Sequence, residues 1–166
     1  MEILKFFSKK ISEKLEIFLK GQTEDKIKIL EEIRIRANRP IILRFNDEEA
    51  FIDYIISSED ILETLQVICE NSIYSYQNQI CNGYITIKGG HRVGISGNCV
   101  IEKNKVVNIN YISSLNFRIA RQVIGCSNKI LKYVLKNEEN NIYNTIIISP
   151  PGARKDYNTK RFNKKH

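Results

Sequence analysis

The chain has no tryptophan, one methionine, three prolines and two histidines, His91 and His166. Histidine this scarce leaves little material for an imidazole-based catalytic dyad or a histidine-rich zinc centre. The four cysteines, Cys69, Cys81, Cys99 and Cys126, lie far apart with no C-x-x-C pair. Such spacing excludes a cysteine zinc knuckle and the dense disulfide framework of a small secreted domain. It predicts reduced, mostly buried thiols in a cytoplasmic protein. Nor is there any stretch approaching the roughly 20 apolar residues of a membrane span. The opening Met1-Glu2-Ile3-Leu4-Lys5-Phe6-Phe7-Ser8-Lys9-Lys10 lacks the uninterrupted apolar centre of a signal peptide. G-x-S-x-G and H-E-x-x-H are both absent. The expectation is a soluble, unexported protein without a resident metal.

What is present is 166 residues, 42% hydrophobic and 27% charged, enough for one well-buried domain with or without appendages. The formal charge is +7, and residues 154–166 carry +5 of it. The remainder is close to balanced, so the basic character belongs to a tail. Such a tail is either an arm for nucleic acid or acidic membrane, or a solvated appendage.

Periodicity divides the chain. Leu4, Phe7, Ile11, Leu15, Phe18 and Leu19 recur at helical spacing over residues 3–20, and Lys20-Gly21 stops the pattern. Thr23 is placed to cap a second short helix, with Glu24 and Asp25 in its first turn. Ile33-Arg34-Ile35-Arg36, the turn Ala37-Asn38-Arg39-Pro40 and Ile41–Phe45 read as a hairpin with arginines on one face. A short strand or helix is expected near Phe51–Ile56. Ser57 or Ser58 then caps a helix that turns Ile61, Leu62, Leu65, Ile68 and Cys69 to the core. A further helical piece spans about Ile73–Cys81. Glycine then punctuates short strands at Tyr84–Ile87, His91–Ile95, Cys99–Glu102, Val106–Ile109 and Leu115–Ala120. The turns between them fall at Lys88-Gly89-Gly90, Ser96-Gly97-Asn98 and Lys103-Asn104-Lys105. A helix over Ser127–Lys136 follows. The pattern predicts an α+β domain over 1–136, a polar linker over 137–143, and the first strand of a second domain within 144–153.

That last strand, Thr145-Ile146-Ile147-Ile148, runs into Ser149-Pro150-Pro151-Gly152-Ala153-Arg154-Lys155-Asp156. A strand entering a Pro/Gly turn and then a lysine is how a phosphate-binding loop begins. Its glycines let backbone N–H groups approach phosphate, and its lysine reaches the β- and γ-phosphates. Against G-x-x-x-x-G-K-[ST], Lys155 is in place, but Ser149 and Arg154 replace the two glycines and Asp156 the hydroxyl residue. A carboxylate repels phosphate and a bulky side chain blocks close backbone approach. The loop is degenerate, and neither tight ATP binding nor hydrolysis is expected of the chain as written.

The second glycine-rich segment, Gly89-Gly90-His91-Arg92-Val93-Gly94-Ile95-Ser96-Gly97, leads into strands rather than a helix, so it reads as hairpin turns. His91 has no second histidine or acid beside it. Arg92, Arg118 and Arg121 lie on or beside strands, and Arg118 points away from the face of Phe117 and Ile119. They form either a solvated sheet face or a set of fork-shaped cations for phosphate presented by another domain or subunit.

The strings Glu32–Ile41, Asn71–Ser75, Gly83–Gly97 and Ile112–Arg121 resemble the stage III sporulation protein AA family of endospore-forming bacteria. The resemblance covers nearly all of residues 1–152. It implies the N-terminal α+β domain (helices plus an antiparallel sheet) of a secretion-type, AAA+/RecA-like ATPase, followed by a motor that works as a homo-hexamer with ATP and Mg²⁺. It also implies a peripheral position on the mother-cell side of the forespore membrane, with the other stage III channel proteins as partners and no specific nucleic acid. Family loops of the form S-P-P-G-x-G-K-T-T map onto Ser149, Pro150, Pro151, Gly152 and Lys155, and fail at Arg154 and Asp156. The expectation is a truncated, inactive motor fragment. The competing class is a stand-alone binding module whose basic tail contacts nucleic acid or acidic membrane.

The tail itself reads as a reading-frame accident. Back-translated and shifted by one base, Asp156–His166 permits Thr-Ile-Ile-Leu-Lys-Asp-Leu-Ile-Arg-Asn, a hydroxyl residue followed by helical apolar spacing. The bias of 29 isoleucines against 4 alanines fits AT-rich DNA, where homopolymer runs invite slippage. Sequencing the encoding DNA should reveal an open +1 frame continuing into a RecA-like motor. A +1 frame dense in stop codons overturns the reading.

Overall fold

A computed structural model describes residues 2–46, 48–120, 130, 133–135, 143–146 and 148. The chain forms two compact units, 1–120 and 121–166. The expected helix over Ser127–Lys136, the linker, Arg121, Cys126, the phosphate-type loop and the basic tail lie largely or wholly outside the described residues.

The first unit is an antiparallel sheet with helices against one face. Strands β1 (Leu30–Arg36), β2 (Pro40–Phe45) and β3 (Glu48–Ile55) form one meander. Strands β4 (Tyr84–Ile87), β5 (His91–Glu102) and β6 (Lys105–Arg118) form another. The two meanders join through β1 and β6, giving the order β3-β2-β1-β6-β5-β4 with every pair antiparallel. Helices α3 (Ser58–Ile68) and α4 (Gln77–Cys81), with a 3-10 turn over Ile73–Tyr76, carry the chain from one sheet edge to the other.

Strict alternation sorts the residues. Ile33, Ile35, Ile41, Leu43, Val93, Ile95, Leu115 and Phe117 face the core and are buried, meeting Ile11 and Leu15 of helix α1 (Lys9–Lys20) and Ile61, Leu65 and Ile68 of α3. A buried side chain of this size is stabilised by about 1.5–3 kcal/mol. Phe7 stacks on Phe117 with ring centroids 4.0 Å apart.

The amino-terminal helix is not continuous. A 3-10 turn over Glu2–Phe6 ends before α1, and Phe7 and Ser8 are buried between them. The Ser8 amide donates to Thr64 Oγ1 at 3.2 Å, so a tertiary hydrogen bond takes the place of the next helical one. Thr23 caps helix α2 (Glu24–Lys28), its hydroxyl accepting from the Lys26 amide. Ser57 caps α3 through a reciprocal box, with Asp60 N–H donating to Ser57 Oγ at 3.0 Å and Ser57 N–H to Asp60 Oδ2 at 2.9 Å. Tyr54 hydroxyl donates to the same carboxylate, and desolvation first, then that bond, raises its pKa. Leu62 does not face the core; it is exposed, and Thr64 is buried in its place because the register set by Asp60 and Ile61 puts Leu62 on the outer side.

The glycine-punctuated segment corrects the expectation of many short strands. His91–Ile95 and Cys99–Glu102 are one strand, as are Val106–Ile109 and the residues up to Arg118. The register shift between Ser96 and Asn98 marks a β-bulge on β6: one residue of β5, Gly97, stands against Tyr111-Ile112-Ser113, with Tyr111 at φ 49°. The expected turn at Lys103-Asn104 does form, both residues at positive φ (48° and 62°), as a two-residue type I′ hairpin requires. Of the run Thr145–Ile148, the described residues 145, 146 and 148 belong to no strand. β-branched composition favours a strand only where a neighbour accepts its backbone bonds.

A Cβ on Gly97 would lie 2.7 Å from the Asn110 carbonyl oxygen and 2.8 Å from Ile109 Cγ2. Backbone there cannot yield without shifting the bulge, so Gly97→Ala should destabilise the domain by about 1–3 kcal/mol. Urea denaturation checks this, and an unchanged midpoint would show that the bulge is not tightly packed.

Candidate functional site

The alternation that buries the core face leaves the opposite face polar. Across β3, β2, β1, β6, β5 and β4 the register aligns Glu49, Arg44, Glu32, Arg118, Arg92 and Thr86 in one row. The next row aligns Phe51, Ile42, Arg34, Asn116, Gly94 and Tyr84. Arg34, Arg36, Arg44, Arg92 and Arg118 thus share one side of the sheet, and the predicted arginine face of the first hairpin extends over both meanders.

Glu32 organises the centre of this face. Its Oε2 accepts from Arg34 Nη2 at 2.6 Å, and its Oε1 accepts from Asn116 Nδ2. Arg34 also reaches Glu49 Oε1 at 3.0 Å. The bond to Glu32 is the main cause that raises Arg34 above the usual arginine pKa, against the opposing effect of partial burial. Arg44 Nε donates to the Asn46 carbonyl and so serves the β2–β3 turn.

Arg92 and Arg118 stand directly opposite one another on β5 and β6, both exposed. Among the described residues, neither is bonded to a carboxylate. Glu32, the acid beside Arg118 across β1, has both oxygens engaged elsewhere. Gly94 stands opposite Tyr84 and carries no side chain, which clears the ring for the diagonal neighbour. The Arg92 guanidinium lies over it, 4.9 Å from the centroid. Opposed like charges on neighbouring strands cost up to about 1 kcal/mol. Directly opposed strand residues have Cβ atoms about 5 Å apart, a spacing at which two guanidinium groups can reach one anion.

The structure agrees with the sequence in making Arg92 and Arg118 exposed strand residues, and it brings the two together; Arg121 falls outside the described residues. Glu32, Asn116 and Tyr84 join the site unannounced by the sequence, because their roles depend on strand pairing. Ser149, Pro150, Pro151, Gly152 and Lys155 also lie outside the described residues. His91 sits on the other side of β5, and its Nδ1 accepts the Ala120 amide at 2.9 Å. The cysteines are more varied than expected: Cys69 is buried, Cys81 half-buried and Cys99 exposed. Burial pushes the Cys69 thiol up to about 11, which makes it a poor nucleophile at neutral pH. Among the described residues no group of histidine, cysteine and carboxylate side chains could hold a metal ion. No helix there is long and apolar enough to cross a membrane.

Glu32 carries the charge balance of the face, so its loss should be felt well beyond its own bonds. Glu32→Ala leaves Arg34 and Asn116 with broken bonds and is expected to cost about 1–3 kcal/mol, more at low salt. Glu49→Ala removes only an exposed pair and should stay within about 1 kcal/mol. Denaturation of both variants at two ionic strengths distinguishes them; equal, salt-independent losses would show that Glu32 is not the hub.

Two comparisons bear on this arrangement. The family model described as "Sporulation stage III, protein AA" matches residues 2–161. The stage III sporulation protein AA of Bacillus subtilis (strain 168) is 37% identical over 126 residues, which is 76% of this chain and 40% of that protein. The chain therefore spans well under half the length of this relative. With the match running through the whole antiparallel sheet and its arginine face, the chain belongs to the stage III sporulation protein AA family.

Proposed function

We propose that this sheet domain serves an ATP-hydrolysing motor of sporulation by presenting Arg92 and Arg118 to nucleotide phosphate held on a neighbouring domain or subunit. The observation that carries the reading is the opposed arginine pair. It has two fork-shaped cations in register, one braced on Tyr84, beside a carboxylate already saturated by Arg34 and Asn116. Phosphoryl transfer places little covalent demand on protein and depends on positioning and on cations near the developing charge. Arginines fixed on a rigid sheet suit that task, because the sheet, not the ligand, holds their spacing.

In this reading the whole protein uses ATP and Mg²⁺, assembles as a homo-hexamer, and acts peripherally at the mother-cell face of the forespore membrane with other stage III proteins as a secretion-like ATPase. Phosphate would meet Lys155 from Ser149-Pro150-Pro151-Gly152. In the present chain Arg154 and Asp156 replace the glycine and hydroxyl residue that such a loop needs, so no turnover is proposed for it.

The test uses a full-length relative with an intact loop. Replacing the arginine equivalent to Arg118 by alanine should lower ATP turnover tenfold or more while leaving the melting temperature nearly unchanged, and lysine should rescue only partly. Unchanged turnover, or a loss of activity matched by equal loss of stability, would favour the solvated-face reading.

A further inference from the structure

The turn between β4 and β5 is built around an imidazole. Gly89 and Gly90 both take positive φ (92° and 77°), and the Gly90 amide donates to the Ile87 carbonyl at 3.0 Å. A Cβ on Gly89 would come within 2.8 Å of His91 Nε2. Only glycine therefore lets the ring lie against the turn. On its other side the ring reaches the far end of β6, where Nδ1 accepts the Ala120 amide at 2.9 Å. Ala120 is the last residue of the first compact unit. The preceding amide, of Ile119, donates to the Glu31 carbonyl at 2.8 Å, so consecutive amides at the end of β6 are held from its two flanking strands.

An imidazole nitrogen that accepts a backbone N–H carries no proton. The geometry thus fixes His91 as the neutral tautomer protonated on Nε2. Adding a proton at Nδ1 turns an acceptor into a donor that faces another donor, and the bond to Ala120 cannot survive.

We propose that His91 is a proton-operated latch on the point where the chain leaves the first unit, closed when the ring is neutral and released when it is protonated. The sign follows directly. The latched state requires the unprotonated ring, so its contribution is complete at high pH and is lost as pH falls through the imidazole's own titration. Among the described residues, the charged groups of the surrounding elements include Lys88 in the same turn, Glu31 on β1 beside Ile119, and Arg92 and Arg118 on the opposite sheet face. Glu2 and Lys5 lie in the 3-10 turn leading to Phe7, which stacks on Phe117.

The experiment is NMR on the full ¹⁵N-labelled chain, in a His166→Ala background so that one histidine reports. At pH 8 the ring's nitrogen correlations should show the Nε2–H tautomer. Between about pH 8 and 5 the Ala120 amide shift should follow the imidazole titration. Its exchange protection, corrected for the intrinsic pH effect, should fall about fivefold or more, as loss of one hydrogen bond of ordinary strength implies. Gly89→Ala, which displaces the ring but keeps the histidine, should abolish the step, and His91→Phe should leave Ala120 weakly protected at every pH. An Nδ1–H tautomer at pH 8, an Ala120 amide indifferent to the titration, or full protection in His91→Phe would each overturn the proposal. If either variant fails to fold, the tautomer and titration of the unsubstituted ring still decide it.

Discussion

Everything in the first unit hangs on one strand pairing, β1 against β6. Each meander closes its own hairpins locally, but neither has a two-sided core until Ile33 meets Phe117 and Ile35 meets Leu115. Those partners lie some eighty positions apart in the chain. Closing such a loop is entropically costly, though the cost grows only slowly with length. The buried row of isoleucine, leucine and phenylalanine across both strands offsets it. The stack of Phe7 on Phe117 adds the amino-terminal segment to the same junction. Topology of this kind makes folding slower than a local helical bundle, because the decisive contacts are the distant ones.

The same junction creates the polar face. Glu32 on β1 and Asn116 on β6 are bonded across 84 positions, and Arg34 is held by the acid beside it. Joining the meanders therefore satisfies one carboxylate completely and leaves the next arginines along the row, Arg118 and Arg92, without an acid among the described residues. A surface of interspersed charges usually neutralises itself pairwise. Here the count along the row stops one carboxylate short, and the shortage falls on two cations in register.

Much of this is legible in the order of the residues. Helix starts at Thr23 and Ser57, the arginine-faced hairpin and the Lys103-Asn104 turn all follow from local chemistry, and there local chemistry prevails. Gly97 lies inside a strand, opposite a bulge of β6, where a turn is expected, because glycine marks both close backbone approach and turns and only the partner strand decides which. The break at Ser8 is hidden in the sequence because its amide is satisfied by Thr64, 56 positions away. Hydrophobicity alone turns Leu62 inward, whereas the buried Asp60 of the capping box sets which side of α3 faces the sheet. Arg92 and Arg118 are visible singly, but their opposition, and the saturation of Glu32 beside them, are properties of register and not of composition.

Register also explains why the arginine pair is hard to lose while the fold persists. Side chains alternate along a strand, so a slip of one residue on β5 or β6 would turn Val93 and Phe117 outward and drive Arg92 or Arg118 into the core. Burying an unpaired guanidinium costs several kcal/mol, and exposing Phe117 forfeits its stack on Phe7 as well. Core and site are therefore specified by the same constraint from opposite faces of one sheet. The bulge of β6 opposite Gly97 falls beyond the stretch of β5 that pairs with the β1-bonded part of β6. Its two extra residues lie on β6 between Asn110 and Ser114, in the outer hairpin, and the parity of Arg92, Val93, Gly94 and Ile95 against β6 stays intact.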